Sequence, residues 1–192
     1  MKVCIALAAA LLAATPLANA AVTVYTTPLA PEATGATGSG SATFTYDDSL
    51  HTLGISASFS GLSGTTTVAH IHCCVATAGA GTAGVAVMLP TLPGFPADVT
   101  AGSYGPVSID LGLDSSYSGG FLTASGGTAS DAERALIDGI NAGKAYLNIH
   151  TSPTFGRGEI RGFLAPIPEP ATYALMLAGL LGVGAAARRG SY

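Results

Sequence analysis

Apolar and polar residues alternate through the middle of the chain. In HTLGISASFSGL, His51, Leu53, Ile55, Ala57 and Phe59 fall on one side of an extended backbone, and Thr52, Gly54, Ser56, Ser58 and Ser60 fall on the other. That period of two marks a half-buried antiparallel strand. SATFTYDDS repeats the pattern with Ala42, Phe44 and Tyr46 on one side, and Asp47-Asp48-Ser49 supplies the turn into the next strand. Further short strands are predicted near 21–27, 66–72, 84–89, 106–111, 117–122, 145–150 and 157–164, separated by Gly- and Pro-rich stretches such as LPTLPGFPADVTAG. Many short strands with this punctuation predict an all-β, mainly antiparallel Greek-key sandwich. One segment changes period. In SDAERALIDGINAGKA, Ala132, Leu136, Ile137 and Ile140 form a stripe at helical spacing, Ser130 and Glu133 have capping-box spacing, and Gly143 is a stop. The spacing predicts one short crossover helix over about 131–142.

The two ends follow other patterns. MKVCIALAAALLAATPLANA has a positive start at Lys2, an apolar run and a small-x-small site at Ala18-Asn19-Ala20, which predicts a secretory signal peptide over 1–20. The domain then spans 21–166, and a tail spans 167–192. The tail has three parts: Pro168-Glu169-Pro170, an apolar run over 171–187, and Arg188-Arg189. A helix of that run measures about 25 Å, near the thickness of a hydrocarbon core, so it is predicted as a transmembrane helix with the arginines on the cytoplasmic side. This tripartite tail resembles the PEP-CTERM sorting signal of Gram-negative bacteria. The resemblance implies an exosortase-type processing enzyme as partner and a precursor held transiently in the inner membrane. The mature protein is then expected at the cell surface or outside the cell.

Charge narrows the function classes. The chain carries 7 Lys+Arg against 11 Asp+Glu, a formal net charge of −4. Lys2, Arg188 and Arg189 sit in the end segments, so the domain between them is more acidic still. An acidic domain argues against nucleic acid as a partner. Of the 3 cysteines, Cys73 and Cys74 remain after signal removal. For adjacent cysteines of an exported chain the alternatives are a vicinal disulfide, a link to another chain, or thiolate metal ligands.

The candidate chemistry lies in two strands. In TVAHIHCC, His70 and His72 share one side while Ala69 and Ile71 take the other. In AYLNIH, Tyr146, Asn148 and His150 lie opposite Leu147 and Ile149. All three histidines therefore oppose the aliphatic residues of their own strands and can converge on an outer face if the strands are neighbours. Neutral imidazoles on parallel stems suit copper or zinc; the alternative is that they are surface or loop-anchoring histidines hydrogen-bonded to backbone. Cys73 and Cys74 are further candidate ligands. His51 reads as a strand-edge residue rather than a ligand. In GEIRG, Glu159 and Arg161 are two apart, which suits cross-strand ion pairing or hydrogen bonding to backbone, and the flanking Gly158 and Gly162 suggest a bulge or a close backbone approach around Ile160. There is no phosphate loop, nucleophile elbow or paired-carboxylate motif, so no catalytic residue is assigned.

AHIH, a Gly-rich loop with GVAVML, a late helix, AGKAYLNIHT and GEIRGFL together resemble the CHRD domain, first named from chordin, over roughly 22–164. Phe163 stands where that family usually has Gln, and Cys73-Cys74 stand where Gly often follows the histidines. The resemblance implies an extracellular β domain without an established enzymatic activity. It points to an exported structural or binding module, with extracellular polysaccharide or surface proteins as candidate partners. GLSGTTTVAHIH and NIHT also resemble histidine strands of copper–zinc superoxide dismutase, which implies an SOD/Ig-like sandwich with His70, His72 and His150 as copper ligands. No histidine lies between 73 and 149, so the bridging and zinc-site histidines have no counterpart. The alternative function is accordingly a mononuclear copper- or zinc-binding protein.

Overall fold

The computed structural model describes residues 22–166 and 179–181. The signal peptide, Pro168-Glu169-Pro170, Arg188-Arg189 and most of the 171–187 run lie outside the described residues; 179–181 are helical. Among the described residues no helix is long and apolar enough to cross a membrane.

Among the described residues nine strands make one sheet: β1 Val22–Pro31, β2 Ser39–Asp47, β3 Thr52–Ser60, β4 Thr65–His72, β5 Val85–Val87, β6 Gly102–Asp110, β7 Tyr146–Ser152, β8 Ile160–Phe163 and β9 Ala165–Pro166. Their order is β5-β4-β7-β8-β1-β2-β3-β6, with β9 beside β1. Every pairing between these strands is antiparallel. The curvature comes from β1. Val22 to Leu29 pair with β2, whereas Ala30 and Pro31 pair with β8, so one strand serves both halves of a half barrel. The two halves close on one core. Tyr25, Phe44, Leu53 and Ile55 come from one half, and Ala69, Ile71, Leu147 and Ile149 from the other.

The alternation is observed along 52–60, where Leu53, Ile55, Ala57 and Phe59 are buried, each flanked by more exposed residues; His51, read on the same side, is instead exposed in the preceding turn. The turn before β3 is held by the Asp47 carboxylate, whose Oδ1 accepts from the Ser49 and Leu50 amides at 3.0 and 3.1 Å. Among the described residues two α-helices, besides a short 3-10 turn over Asp114–Ser116, stand where one helix was expected. Residues 117–122, predicted as a strand, enter α1, Gly119–Ser125. Ser118 caps it by accepting from the Phe121 amide, a local bond that the apolar pattern does not reveal. The predicted helix is α2, Ala129–Asn141. Its N-cap is Thr128 rather than Ser130, and Glu133 turns toward the sheet instead of back to the cap. Leu136 and Ile140 of α2 are fully buried, and each stabilises the fold by roughly 2 kcal/mol through removal of apolar surface from water.

Candidate metal centre

β4 and β7 are neighbours, in a register that pairs His70 with Asn148, His72 with Tyr146 and Val68 with His150. Strand alternation sends Ala69, Ile71, Leu147 and Ile149 into the core and the three histidines to the other face. That face is itself covered: His70, His72 and His150 are 6, 8 and 8 % exposed. One potential ligand nitrogen from each ring falls within 4.8 Å of the other two. The three residues that the sequence singled out are thus brought together.

Three loop carbonyls set the protonation of the rings. His70 Nε2 donates to the Pro90 carbonyl at 2.7 Å, His72 Nδ1 to that of Ala83 at 2.9 Å, and His150 Nδ1 to that of Gly156 at 3.0 Å. A carbonyl only accepts, so each of these nitrogens carries the hydrogen. The bare nitrogens of neutral rings are then His70 Nδ1, His72 Nε2 and His150 Nε2. His70 Nδ1 and His150 Nε2 lie 3.3 Å apart with no proton of their own to share. His72 Nε2 is buried and has no hydrogen-bond partner. Burial lowers all three imidazoles below their ordinary value and takes His72 to about 4. The carbonyl bonds oppose this only partly, and the mutual repulsion of the rings adds to it for His70 and His72. The site therefore clusters three neutral imidazoles, with the bare nitrogens of His70 and His150 against each other and that of His72 buried without a partner. This donor set fits a copper or zinc ion, and the unpartnered His72 nitrogen is what such an ion would satisfy.

Cys73 and Cys74 do not extend the cluster. Alternation turns Cys73 away from the His72 face into the core, and the two sulfurs are bonded to each other. The pair rests on Gly139 of α2, where a Cβ would overlap both sulfurs. Tyr146 does belong to the site: its ring lies parallel to that of His72, at 4.8 Å and 3°. Its hydroxyl lies 3.2 Å from the Ala83 amide, so ring and ligand are tied to one point of the loop. Asn148 instead donates to Glu32 and to the Arg157 carbonyl.

The GEIRG residues have their own partners. Glu159 is fully buried and accepts from Ser63 N and Ser63 Oγ (both 2.6 Å), Gly64 N (3.2 Å), Thr37 N (3.3 Å) and Thr151 Oγ1 (2.5 Å). Burial alone would raise its carboxyl; the bonds from Ser63, Thr151 and Gly64 outweigh it and hold the group at about 2. Arg161 has other partners: Glu32 at 3.1 Å, the Gly81 carbonyl at 2.8 Å, and the rings of Tyr146 and Phe163. Arg161 both ion-pairs and bonds to backbone, whereas Glu159 accepts from backbone amides and hydroxyls. Gly158 has φ +127°, and a Cβ there would overlap Glu32 and Asn148, which is the close approach its sequence position suggested.

A second polar cluster was not legible in the sequence. His51 lies in the turn before β3 with φ +53°, and its Nδ1 meets both carboxylate oxygens of buried Glu133, at 3.1 and 2.9 Å. Tyr46 donates to the same carboxylate at 2.8 Å. The spacing of Glu133 from Ser130 suggested a local cap, and only the tertiary arrangement shows that it ties α2 to the sheet.

The family model described as the CHRD domain matches residues 15–164. The PEP-CTERM protein-sorting motif matches residues 166–189. No match to a curated protein or to a solved structure was found.

Proposed function

Since the chain belongs to the CHRD-domain family and carries a PEP-CTERM sorting motif, which implies export through an exosortase-type system, we propose that it is a binding module of the cell surface or extracellular matrix whose ligand is one copper or zinc ion. His70 Nδ1, His72 Nε2 and His150 Nε2 hold the ion. The observation that carries the reading is the cluster of three carbonyl-anchored imidazoles, each with one bare nitrogen, that of His72 buried without a partner. When bound, the metal supplies a Lewis-acidic centre and, if it is copper, a redox couple. The protein's own residues orient the three rings, keep them neutral and limit solvent access. In this reading the signal peptide over 1–20 is removed, 21–166 is the working domain, and the tail over 167–192 anchors the precursor until it is processed.

Elemental analysis of the protein offered Cu(II) or Zn(II) tests the site. About one metal per chain is expected, and it should be lost in the His70→Ala, His72→Ala, His150→Ala triple variant. No uptake by the natural protein, or undiminished uptake by the triple variant, rules the site out. Intact-mass measurement of protein taken from its own host tests the sorting. A chain that still ends in Ser191-Tyr192 refutes processing.

A further inference from the structure

This inference rests on the metal reading above and concerns what sets the charge state of the ion. The three ligands are neutral, and no carboxylate or thiolate belongs to their group. The ion's charge is therefore not neutralised by its ligands, and fixed charges nearby act on it in proportion to its valence. Arg161 is such a charge. Its guanidinium carbon lies 5.1 Å from the centre of the Tyr146 ring, and the opposite partner of that ring is His72, parallel at 4.8 Å. The three layers place the guanidinium within about 10 Å of a ligand imidazole. Arg161 is held there by the Gly81 carbonyl at 2.8 Å and by Glu32 at 3.1 Å. Glu32 is the opposing charge of the same assembly, and the Asn148 amide orients it.

We propose that Arg161, acting across Tyr146 on His72, biases the three-histidine centre toward the monovalent form of bound copper, and that Glu32 acts as the opposing charge that limits this bias. A fixed cation disfavours a divalent ion twice as strongly as a monovalent one. At about 10 Å and an effective dielectric of about 20, that difference of one charge corresponds to about a tenfold change in the ratio of Cu(I) to Cu(II) affinity. Partial exposure of Arg161 makes tenfold the upper end. Arg161 is a positioning and tuning residue here; it touches no metal ligand directly.

The test uses the exported protein. Its Cu(I) affinity is measured in ascorbate by competition with a chromogenic Cu(I) chelator, and its Cu(II) affinity by competition with a Cu(II) chelator. Arg161→Gln should shift the ratio toward Cu(II) by up to about tenfold. Arg161→Lys, which keeps the charge, should retain most of the natural ratio. Glu32→Gln should shift it the opposite way, toward Cu(I). A merely loosened pocket would weaken both ions in both variants, so the opposite signs separate charge from packing. Stoichiometric copper with a ratio unmoved in Arg161→Gln, or moved in the same direction by both neutral variants, overturns the role of Arg161 alone. Absence of copper from a natural protein that takes up zinc overturns this inference alone; absence of both metals overturns the metal reading and this inference with it.

Discussion

Replacing Glu159 by Gln should destabilise the domain strongly at neutral pH and much less in acid. The carboxylate is fully buried and accepts five hydrogen bonds, three of them from loop residues Ser63 and Gly64. A Gln side chain keeps one acceptor but turns an NH₂ toward donors that Oε2 now receives, Gly64 N and Thr151 Oγ1. Loss of charge-assisted bonds to a buried group costs about 2–4 kcal/mol. Linkage yields a similar figure. A carboxyl held at about 2 against its ordinary 4.5 stabilises the fold by about 3 kcal/mol. The depressed value means that this stabilisation is complete above roughly pH 5 and fades as pH falls from about 4.5 toward about 2. Urea denaturation of natural and Glu159→Gln protein at pH 7 and at pH 3 measures both quantities. The gap should be about 3 kcal/mol at pH 7 and roughly half that at pH 3. A gap under about 1 kcal/mol at pH 7, or one that does not shrink in acid, would refute the view that Glu159 serves as the anchoring anion of the 61–64 loop.

The imidazoles carry the opposite pH signature. His72 is lowered to about 4 by burial, so its neutral form stabilises the fold fully above about pH 6.5, and that contribution is lost as pH falls toward about 4. Metal-free protein should lose denaturant resistance over that window, and His72→Gln should flatten the curve; a curve unchanged by the substitution contradicts the assignment of His72 as a buried neutral ring. The bond between Cys73 and Cys74 closes within one chain. Non-reducing gels should therefore show monomer, and reduction should add two protons to the intact mass while costing only about 1 kcal/mol, because so short a loop restrains the unfolded chain very little. A reductant-sensitive dimer would contradict the pairing.

The class of fold and the identity of the candidate ligands could be read from the sequence because both follow from a period of two. A residue's parity along a strand decides its face whatever its partners are, so His70, His72 and His150 were separable from Ala69, Ile71, Leu147 and Ile149 before any strand was placed. The C-terminal sorting motif was legible for a similar reason: it is a local run of Pro-Glu-Pro, apolar residues and arginines. The helix over 119–125 was missed because its start depends on one side-chain cap at Ser118, and a short apolar run there suits either conformation.

Tertiary structure decided everything that needs a partner distant in the chain. Residues 70 and 150 approach only because β4 and β7 pair, and which nitrogen of each ring is bare follows from carbonyls of Ala83, Pro90 and Gly156 in loops that no pattern could aim. Strand parity placed the histidines only on the outer face of the sheet. That face is buried because those loops fold over it, and that burial is what keeps the imidazoles neutral. Glu159 and Arg161, two residues apart and equal in sequence terms, were assigned to separate networks by what surrounds them: loop amides for one, aromatic rings and a counter-ion for the other. Periodicity along a chain is set by backbone geometry and survives without context. Proton placement, burial and electrostatic environment are properties of neighbours, and only the folded chain supplies them.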